Sequence, residues 1–288
     1  MKISDVLKRK KTFSFEVFAP KPDKPMEPLL STLSKLYGFK PDFISCTYGA
    51  GGSNKGRSLD VCAAVKASGH EIMTHFTCIG NTRADVSDYI KKCEDLNIEN
   101  VLALRGDFPS GWEGTRGDFD HADELLSFLG AAFPKLCISV AGYPEKHIAA
   151  ESLDSDIAYL RVKQDRGAAF VVTQLCYDAD AYGRYAERIR RAGVTLPLVV
   201  GIMPVLFKEP TIRTTVFNGC SIPAELASIF GKYGDDPESF KKAGKEYTIG
   251  LMERFIKAGI DGLHIYTMNK HEDVGDILRT SGIRDAIR

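Results

Sequence analysis

Short apolar runs alternate along the chain with segments in which apolar residues return every three or four positions. The short runs are rich in β-branched and aromatic residues, and this pattern predicts strands. Eight strands are expected, at Thr12–Phe18, Phe43–Tyr48, Ile72–Cys78, Val101–Leu104, Leu136–Ala141, Phe170–Leu175, Leu198–Ile202 and Gly262–Tyr266.

The segments between these strands have the helical period. Helices are expected, among others, at Leu59–Gly69, Arg83–Leu96, Ala122–Phe133, Leu153–Arg166, Ala179–Ala192 and Phe240–Ala258. Eight strand–helix units in 288 residues, with no linker of biased composition, predict an α/β fold, a single (β/α)8 TIM barrel over residues 1–288. The stretch 205–238 is too long for a simple connection, and Pro223–Phe230 predicts an extra helix there.

Charge and composition narrow the class of protein. Lys plus Arg equals Asp plus Glu at 38 each, and the basic residues are scattered, so no nucleic-acid partner is expected. Met1–Lys11 lacks the apolar stretch of a signal peptide, and we expect a cytoplasmic protein with no membrane partner. The seven cysteines form no C-x-x-C pair, and we interpret them as reduced core residues rather than a metal site.

An acid interrupts the first strand, Phe13-Ser14-Phe15-Glu16-Val17-Phe18. A carboxyl in a low-dielectric interior is costly when ionised and unpaired, so it holds its proton more readily, which is the state that a general acid needs. The alternative is a Glu on the solvated face of an edge strand. The hexamer alone leaves both interpretations open.

The other expected strands also end in polar residues. In a barrel, catalytic side chains come from the carboxyl ends of the strands and the loops that follow them. Each residue alone has an ordinary structural explanation, but together they predict a site for a polar aromatic ligand. The strand ends supply Thr47-Tyr48, His75 and Thr77, Arg105-Gly106-Asp107, Tyr143 with His147, Gln174, His264, Tyr266 and Asn269-Lys270.

Two other patterns are weaker signals. Gly49–Asn54 follows a strand and precedes a helix, as a dinucleotide fingerprint would, but Asn54 stands where the third glycine belongs. A Schiff-base lysine is conceivable at Lys163. Lys163 lies in a helical run, however, which favours a phosphate or ribose contact, or solvent exposure, over imine chemistry.

Seven segments resemble, in order, the motifs of methylenetetrahydrofolate reductases. Together they cover nearly the whole chain and fall at the ends of successive expected strands. The resemblance implies a flavin-dependent barrel that carries FAD and reduces 5,10-methylenetetrahydrofolate to 5-methyltetrahydrofolate in one-carbon metabolism, with NADH or NADPH as the usual donor. The segments are Phe15–Pro20, Thr47–Gly52, Thr74–Cys78, Ala103–Asp107, Ser139–Glu145, Thr173-Gln174 and Ile265–Asn269.

The resemblance also implies roles for individual residues. Glu16 corresponds to the general acid that protonates N10 of the folate, and Asp107 to the acid beside the flavin pyrimidine and the pterin. Substrate contacts are implied for Glu16, Thr47, Asp107, Gln174 and Lys270, of which Lys270 replaces the Arg of many relatives. Flavin contacts are implied for Thr47, His75, Arg105, Gly106, Asp107, His121, Ala122, Tyr143, His147, Asp156 and Lys163.

One segment departs from the family pattern. Relatives have a Gln and then a Phe after the motif Gly201–Val205, whereas an ungapped alignment places Pro210 and Thr214 there, and a one-residue gap would use Phe207 or Glu209 instead. The electron donor is therefore open between a nicotinamide nucleotide and a partner subunit. A homo-oligomer is also possible. A flavin- or folate-binding subunit that works within a complex and a non-flavin barrel lyase remain the alternatives, and we expect no regulatory domain after Arg288.

Overall fold

The computed structural model describes residues 1–49, 55–108, 111–112 and 114–287, without the side chains at positions 55 and 56. Most of the glycine-rich run that resembles a dinucleotide fingerprint, positions 50–54, lies outside the described residues. The rest of the chain can be compared with the sequence-based expectations directly.

Eight parallel strands pair in chain order, and the last pairs with the first, so the sheet is a closed barrel. This confirms the predicted (β/α)8 fold. Several strands are one or two residues shorter at their carboxyl ends than predicted, because the last polar residues belong to the loops. The strands are β1 Thr12–Val17, β2 Phe43–Cys46, β3 Ile72–Thr77, β4 Asn100–Leu104, β5 Cys137–Gly142, β6 Phe170–Thr173, β7 Leu198–Ile202 and β8 Gly262–Tyr266.

Twelve helices lie within the described ranges, and the predicted ones are found with shifts of a few residues at their ends. The long insertion holds two helices rather than one. Its first helix was missed because Pro210 suggests a break, yet proline is tolerated in a first helical turn. The helices are α1 Ile3–Leu7, α2 Glu27–Tyr37, α3 Lys55–Ala67, α4 Arg83–Asp95, α5 Ala122–Ala132, α6 Leu153–Asp165, α7 Ala179–Arg191, α8 Lys208–Phe217, α9 Ala224–Tyr233, α10 Pro237–Lys257, α11 His271–Ser281 and α12 Ile283–Ala286.

Alternate strand residues face opposite sides of the barrel wall. In β1, Phe13, Phe15 and Val17 belong to the large apolar core between strands and helices, whereas Ser14 hydrogen-bonds inside the barrel. The bottom of the interior is a separate apolar cluster, closed by Ile3 of α1. That cluster contains Phe43, Met73, Leu102, Cys137, Phe170, Val172 and Val199. The polar inward residues therefore collect above an apolar floor, at the carboxyl ends of the strands.

The cysteines are free thiols, as the sequence predicts for reduced core residues. All seven cysteines are described and unpaired, and every one except Cys220 is buried. Burial raises the pKa of the Cys78 thiol to about 12, so this thiol is not a reactive thiolate. No helix in the described ranges combines the length and apolar character needed to cross a membrane.

Gly201 of β7 leaves room for an aromatic side chain that crosses the top of the interior. The Tyr266 hydroxyl donates to the Thr173 carbonyl at 2.6 Å and so connects the ends of β8 and β6. A Cβ at position 201 would lie 2.2 Å from that hydroxyl and 2.4 Å from the Thr173 carbonyl oxygen. A side chain at this position would therefore displace Tyr266 or the strand.

We predict that Gly201→Ala destabilises the protein by about 1–3 kcal/mol, the usual cost of overpacking a core. Urea denaturation monitored by circular dichroism measures the change. The matched control is Gly183→Ala in the interior of α7, where an added Cβ meets nothing within 4 Å. That control should be stabilised by roughly 0.5–1 kcal/mol, and equal midpoints for the two variants would contradict the packing argument.

Candidate active site

The Glu16 carboxyl lies inside the barrel at the end of β1. Glu16 is only 8% exposed. Its Oε2 is 3.5 Å from Nε2 of His75 and 3.7 Å from Nε2 of His264. Among the described residues, no Lys or Arg lies within 4.0 Å of this carboxyl, so imidazoles are its nearest basic neighbours. The expectation of an inward, buried Glu16 is confirmed, and the edge-strand alternative is wrong.

The His75 ring lacks a hydrogen bond at the nitrogen nearest Glu16. Nε2 is buried and has no hydrogen-bond partner among the described residues. Its 3.5 Å separation from Oε2 of Glu16 is longer than an ordinary hydrogen bond. Burial lowers the pKa of His75, the Glu16 charge opposes this effect, and His264 adds to it. His75 is therefore neutral near pH 7 and gives Glu16 no full positive charge.

His264 is held by two serine hydroxyls within the barrel. Its Nδ1 is 2.7 Å from Oγ of Ser14, and its Nε2 is 3.0 Å from Oγ of Ser45. The Ser14 hydroxyl also donates to the Leu263 carbonyl at 3.3 Å. Because the Ser14 hydroxyl donates to Leu263, its oxygen accepts Nδ1–H of His264. The other ring nitrogen, Nε2, contacts Ser45 and faces the Glu16 carboxyl.

The sequence pattern marks His264 as a polar strand end without a role, and it does not single out Ser14 or Ser45. The sequence signal for these serines is the alternation of inward and outward side chains along a strand. Ser14 shares a face with Glu16 on β1, and Ser45 lies on the inward face of β2 with Phe43. The pairing itself joins residues more than 200 positions apart, which spacing alone does not reveal.

A second group of predicted residues surrounds His147, which follows β5. Burial lowers the pKa of His147. Arg105 and Lys163 lower it further, whereas Asp156 and Asp107 raise it. Charged side chains from the loop after β4 and from α6 thus contribute to the electrostatic environment of His147. Asp156 also accepts the His147 backbone N–H at 2.9 Å, and the Tyr143 and His147 rings meet edge to face at 4.7 Å.

Lys163 belongs to α6, as expected, but it is not solvent-exposed. Its Nζ donates to the Ala141 carbonyl at 3.4 Å. Burial lowers the Lys163 pKa, while Asp156 and Asp123 raise it. The structure thus brings the ammonium against the end of β5, near the charge of Asp156.

The β3 and β4 ends carry further open polar groups. The Thr77 hydroxyl, like Nε2 of His75, is buried without a hydrogen-bond partner among the described residues. Gly106 has a φ of +88°, and a Cβ there would lie 2.9 Å from Cβ of Thr77. Asp107 is exposed. Glycine therefore keeps the backbone of this loop close against Thr77 of β3.

The other predicted residues lie around the same end of the barrel. Thr47 follows β2, and its backbone N–H donates to Val17 beside Glu16. His121 and Ala122 form the start of α5. Gln174 follows β6 and donates to Asn218, just after α8, at 2.8 Å. Lys270, before α11, places Nζ 5.9 Å from the centre of the exposed Phe207 ring.

One surface cavity lies away from these residues. It has a volume of about 480 Å³ and lies against α7, with no predicted site residue in its lining. No group of three or more His, Cys, Asp or Glu side chains in the described part of the chain is arranged to hold a metal ion. The candidate site is therefore identified by its polar groups and not by cavity size.

Comparison with known proteins identifies the family of this chain. A profile of the family described as methylenetetrahydrofolate reductase matches residues 2–282. The chain belongs to the methylenetetrahydrofolate reductase family. The 5,10-methylenetetrahydrofolate reductase of Escherichia coli (strain K12) is 30% identical over 275 residues, which cover 95% of this chain and 92% of that protein.

Relatives from eukaryotes are longer. Methylenetetrahydrofolate reductase 1 of Schizosaccharomyces pombe is 31% identical over 296 residues, covering 99% of this chain and 49% of that protein. Methylenetetrahydrofolate reductase (NADH) 1 of Arabidopsis thaliana is 33% identical over 299 residues, covering 99% of this chain and 50% of that protein. The chain thus spans about half the length of these relatives.

Solved structures share the fold at low identity. An uncharacterized protein from Clostridium thermocellum, which binds two copies of 5-methyl-5,6,7,8-tetrahydrofolic acid, gives a TM-score of 0.68 at 13% identity, with 99% of each chain covered. A dihydropteroate synthase from Coxiella burnetii gives 0.52 at 12% identity, covering 95% of this chain and 94% of that one. At these identities the likeness shows the barrel fold alone.

We predict that the buried His75 makes the protein less stable in acid. Because its pKa is lowered in the fold, the unfolded chain binds more protons below about pH 6.5. This contribution to the free energy of unfolding is complete above that pH and is lost as the pH falls, at up to about 1.4 kcal/mol per pH unit. His75→Gln should therefore flatten the decline between pH 6.5 and 5.

Urea denaturation at several pH values measures this slope. The control is His70→Gln, since His70 stacks on Tyr37 at the surface, far from Glu16 in the barrel. His70→Gln should keep the slope of the unchanged protein. An unchanged slope in His75→Gln would contradict a neutral, buried His75.

Proposed function

We propose that this protein reduces 5,10-methylenetetrahydrofolate to 5-methyltetrahydrofolate, with FAD as cofactor and Glu16 as general acid. The observation that carries the proposal is the Glu16 carboxyl, which lies inside the barrel mouth beside two imidazoles and is 8% exposed. A buried carboxyl at the barrel mouth is placed to act as a general acid on a substrate bound there. Family membership supplies the substrate class.

Glu16 would act on the five-membered ring of the folate. Its proton passes to N10, the bond between N10 and the methylene carbon breaks, and the electron pair of that bond remains on N10. The methylene carbon is left as an iminium ion on N5. Bound flavin would supply the hydride that converts this carbon to the methyl group. A positioned general acid contributes roughly 10²–10⁴ in rate.

The residues at the mouth fit such a cofactor. Arg105 and Lys163 lie close enough to His147 to change its pKa, and such cations are suited to a pyrophosphate. The unpartnered polar atoms of His75 and Thr77 offer hydrogen bonds, and Gly106 leaves room at the β4 loop. The remaining proposed contacts are Thr47, Asp107, His121, Ala122, Tyr143, His147 and Asp156, so residues 1–288 would form one flavin-binding domain.

Three other residues would bind or polarise the folate. Asp107 is exposed, and its negative charge favours a cationic iminium over the neutral substrate. Gln174 would contact the pterin. Lys270 at the rim is a cation that would bind the glutamate carboxylates of the folate. Its position beside Phe207 supports this role, because the folate tail also carries an aromatic ring next to its glutamate.

The donor is assigned to NADH or NADPH, with an electron-delivering partner subunit as the alternative. Residues four apart lie on one face of a helix, so Pro210, Thr214 and Asn218 share the side of α8 that reaches Gln174. This supports the ungapped alignment, in which Pro210 and Thr214 replace the Gln and Phe of relatives. The nucleotide would then bind here with a smaller aromatic contribution than in those relatives.

A non-flavin barrel lyase is less well supported. The lowered pKa of Lys163 is in its favour, since an imine requires a neutral amine. However, Lys163 projects from α6 and donates to the Ala141 carbonyl, whereas Glu16 lies inside the barrel. Family membership also favours the reductase.

We predict that Glu16→Gln separates the two halves of the reaction. Reduction of the bound flavin by its donor should remain within about twofold of the unchanged protein, because Gln preserves the shape of Glu16. Oxidation of reduced flavin by methylenetetrahydrofolate should fall by roughly 10²–10⁴, because the amide cannot deliver the proton. Anaerobic stopped-flow absorbance measures both rates.

The control is Glu151→Gln, at an exposed Glu before α6. Both of its rates should equal those of the unchanged protein. Loss of both half-reactions in Glu16→Gln, or of neither, would contradict the role of Glu16 as the acid. An unchanged protein that cannot transfer electrons to methylenetetrahydrofolate at all would contradict the proposed reaction.

A further inference from the structure

The Gln174 side chain belongs to a chain of amide hydrogen bonds that begins and ends on the backbone. Its Oε1 accepts the Leu175 backbone N–H at 2.8 Å, and its Nε2 donates to Oδ1 of Asn218 at 2.8 Å. Nδ2 of Asn218 in turn donates to the Thr214 carbonyl at 2.8 Å. The chain therefore connects the end of β6 to the last turn of α8.

The two backbone ends determine which way each amide points. A carbonyl oxygen only accepts, so it requires the NH2 group of Asn218, and Oδ1 must then face Gln174. A backbone N–H only donates, so it requires Oε1 of Gln174, and Nε2 must then face Asn218. Rotating either amide by 180° would place two donors or two acceptors against each other. The orientation of Gln174 is thus specified by this network.

The orientation determines what Gln174 offers a ligand. One of its two N–H groups is bound to Asn218, and the other has no hydrogen-bond partner within the described residues. The Gln174 backbone N–H donates to Gly142, so this residue continues the β6 ladder. Alternation along β6 then gives Gln174 the inward face that Phe170 and Val172 occupy in the interior cluster.

We infer that Asn218 is a positioning residue, which holds the Gln174 amide so that it presents an N–H donor to an acceptor atom of the bound pterin. This inference rests on the proposed function for its ligand. Asn218 acts through Gln174 and has no contact of its own with the folate. The role also gives α8, where this chain departs from its relatives, a direct effect on the folate site.

A double-mutant cycle tests the inference. Isothermal titration calorimetry of the FAD-loaded protein with 5-methyltetrahydrofolate gives the dissociation constant. Asn218→Ala should weaken binding by roughly 3- to 10-fold, the usual effect of losing one oriented hydrogen bond. In the Gln174→Ala background the same change should have less than a twofold effect, because the group that Asn218 orients is gone.

A further variant separates positioning from helix stability. Thr215→Val removes the 2.7 Å bond from Oγ1 to the Thr211 carbonyl within α8 without touching Gln174. It should lower the melting temperature and leave the dissociation constant unchanged.

Equal effects of Asn218→Ala in both backgrounds would overturn the inference. The side-chain amide signal of Gln174 in a ¹⁵N–¹H spectrum is the readout that needs no folate. It should shift in Asn218→Ala and remain in Thr215→Val, and a signal that Asn218→Ala leaves in place would overturn the orientation. If the variants show these shifts but the unchanged protein does not bind 5-methyltetrahydrofolate, the proposed function is wrong and the orientation of Gln174 still holds.

Discussion

Every second side chain of the eight strands points into the barrel, where a polar group without a partner is costly. The chain meets this constraint in two layers. Large apolar side chains, such as Phe43 and Phe170, fill the bottom of the interior. At the bottom the amide of Asn100 is hydrogen-bonded to the backbone of Ile3 and Ile72. At the top two serines hold His264, whose Nε2 lies 3.7 Å from Glu16. The proposed acid thus lies where the apolar floor ends and the mouth begins.

The strands could be predicted because each is a short apolar run, and their order follows from alternation with helices. The inward position of Glu16 was not predictable, because its hexamer also fits an edge strand, and only the pairing of β8 with β1 removes that edge. The first helix of the insertion was not, because Pro210 resembles a helix breaker when its place in the first turn is unknown. Contacts such as Ser45 with His264 and Gln174 with Asn218 depend on the register of the closed barrel, and local sequence carries no record of them.

Two features connect the departure in α8 to the proposed chemistry. The face of α8 that carries Pro210 and Thr214 also carries Asn218, which holds Gln174. Substitution on this helix would therefore affect the proposed donor site without removing the Gln174 amide that is proposed to contact the folate.

Phe207, before the same helix, is contacted by two lysines. Lys241 and Lys270 each place Nζ 5.9 Å from the centre of its ring.

The most direct test of the reductase assignment is anaerobic absorbance spectroscopy of the purified, flavin-loaded protein. The proposed reaction predicts that NADH or NADPH bleaches the flavin band and that methylenetetrahydrofolate restores it. Bleaching by dithionite alone, followed by recovery with the folate, would keep the folate chemistry and assign electron delivery to a partner subunit. A protein that binds no flavin, or whose reduced flavin is not reoxidised by methylenetetrahydrofolate, would contradict the assignment.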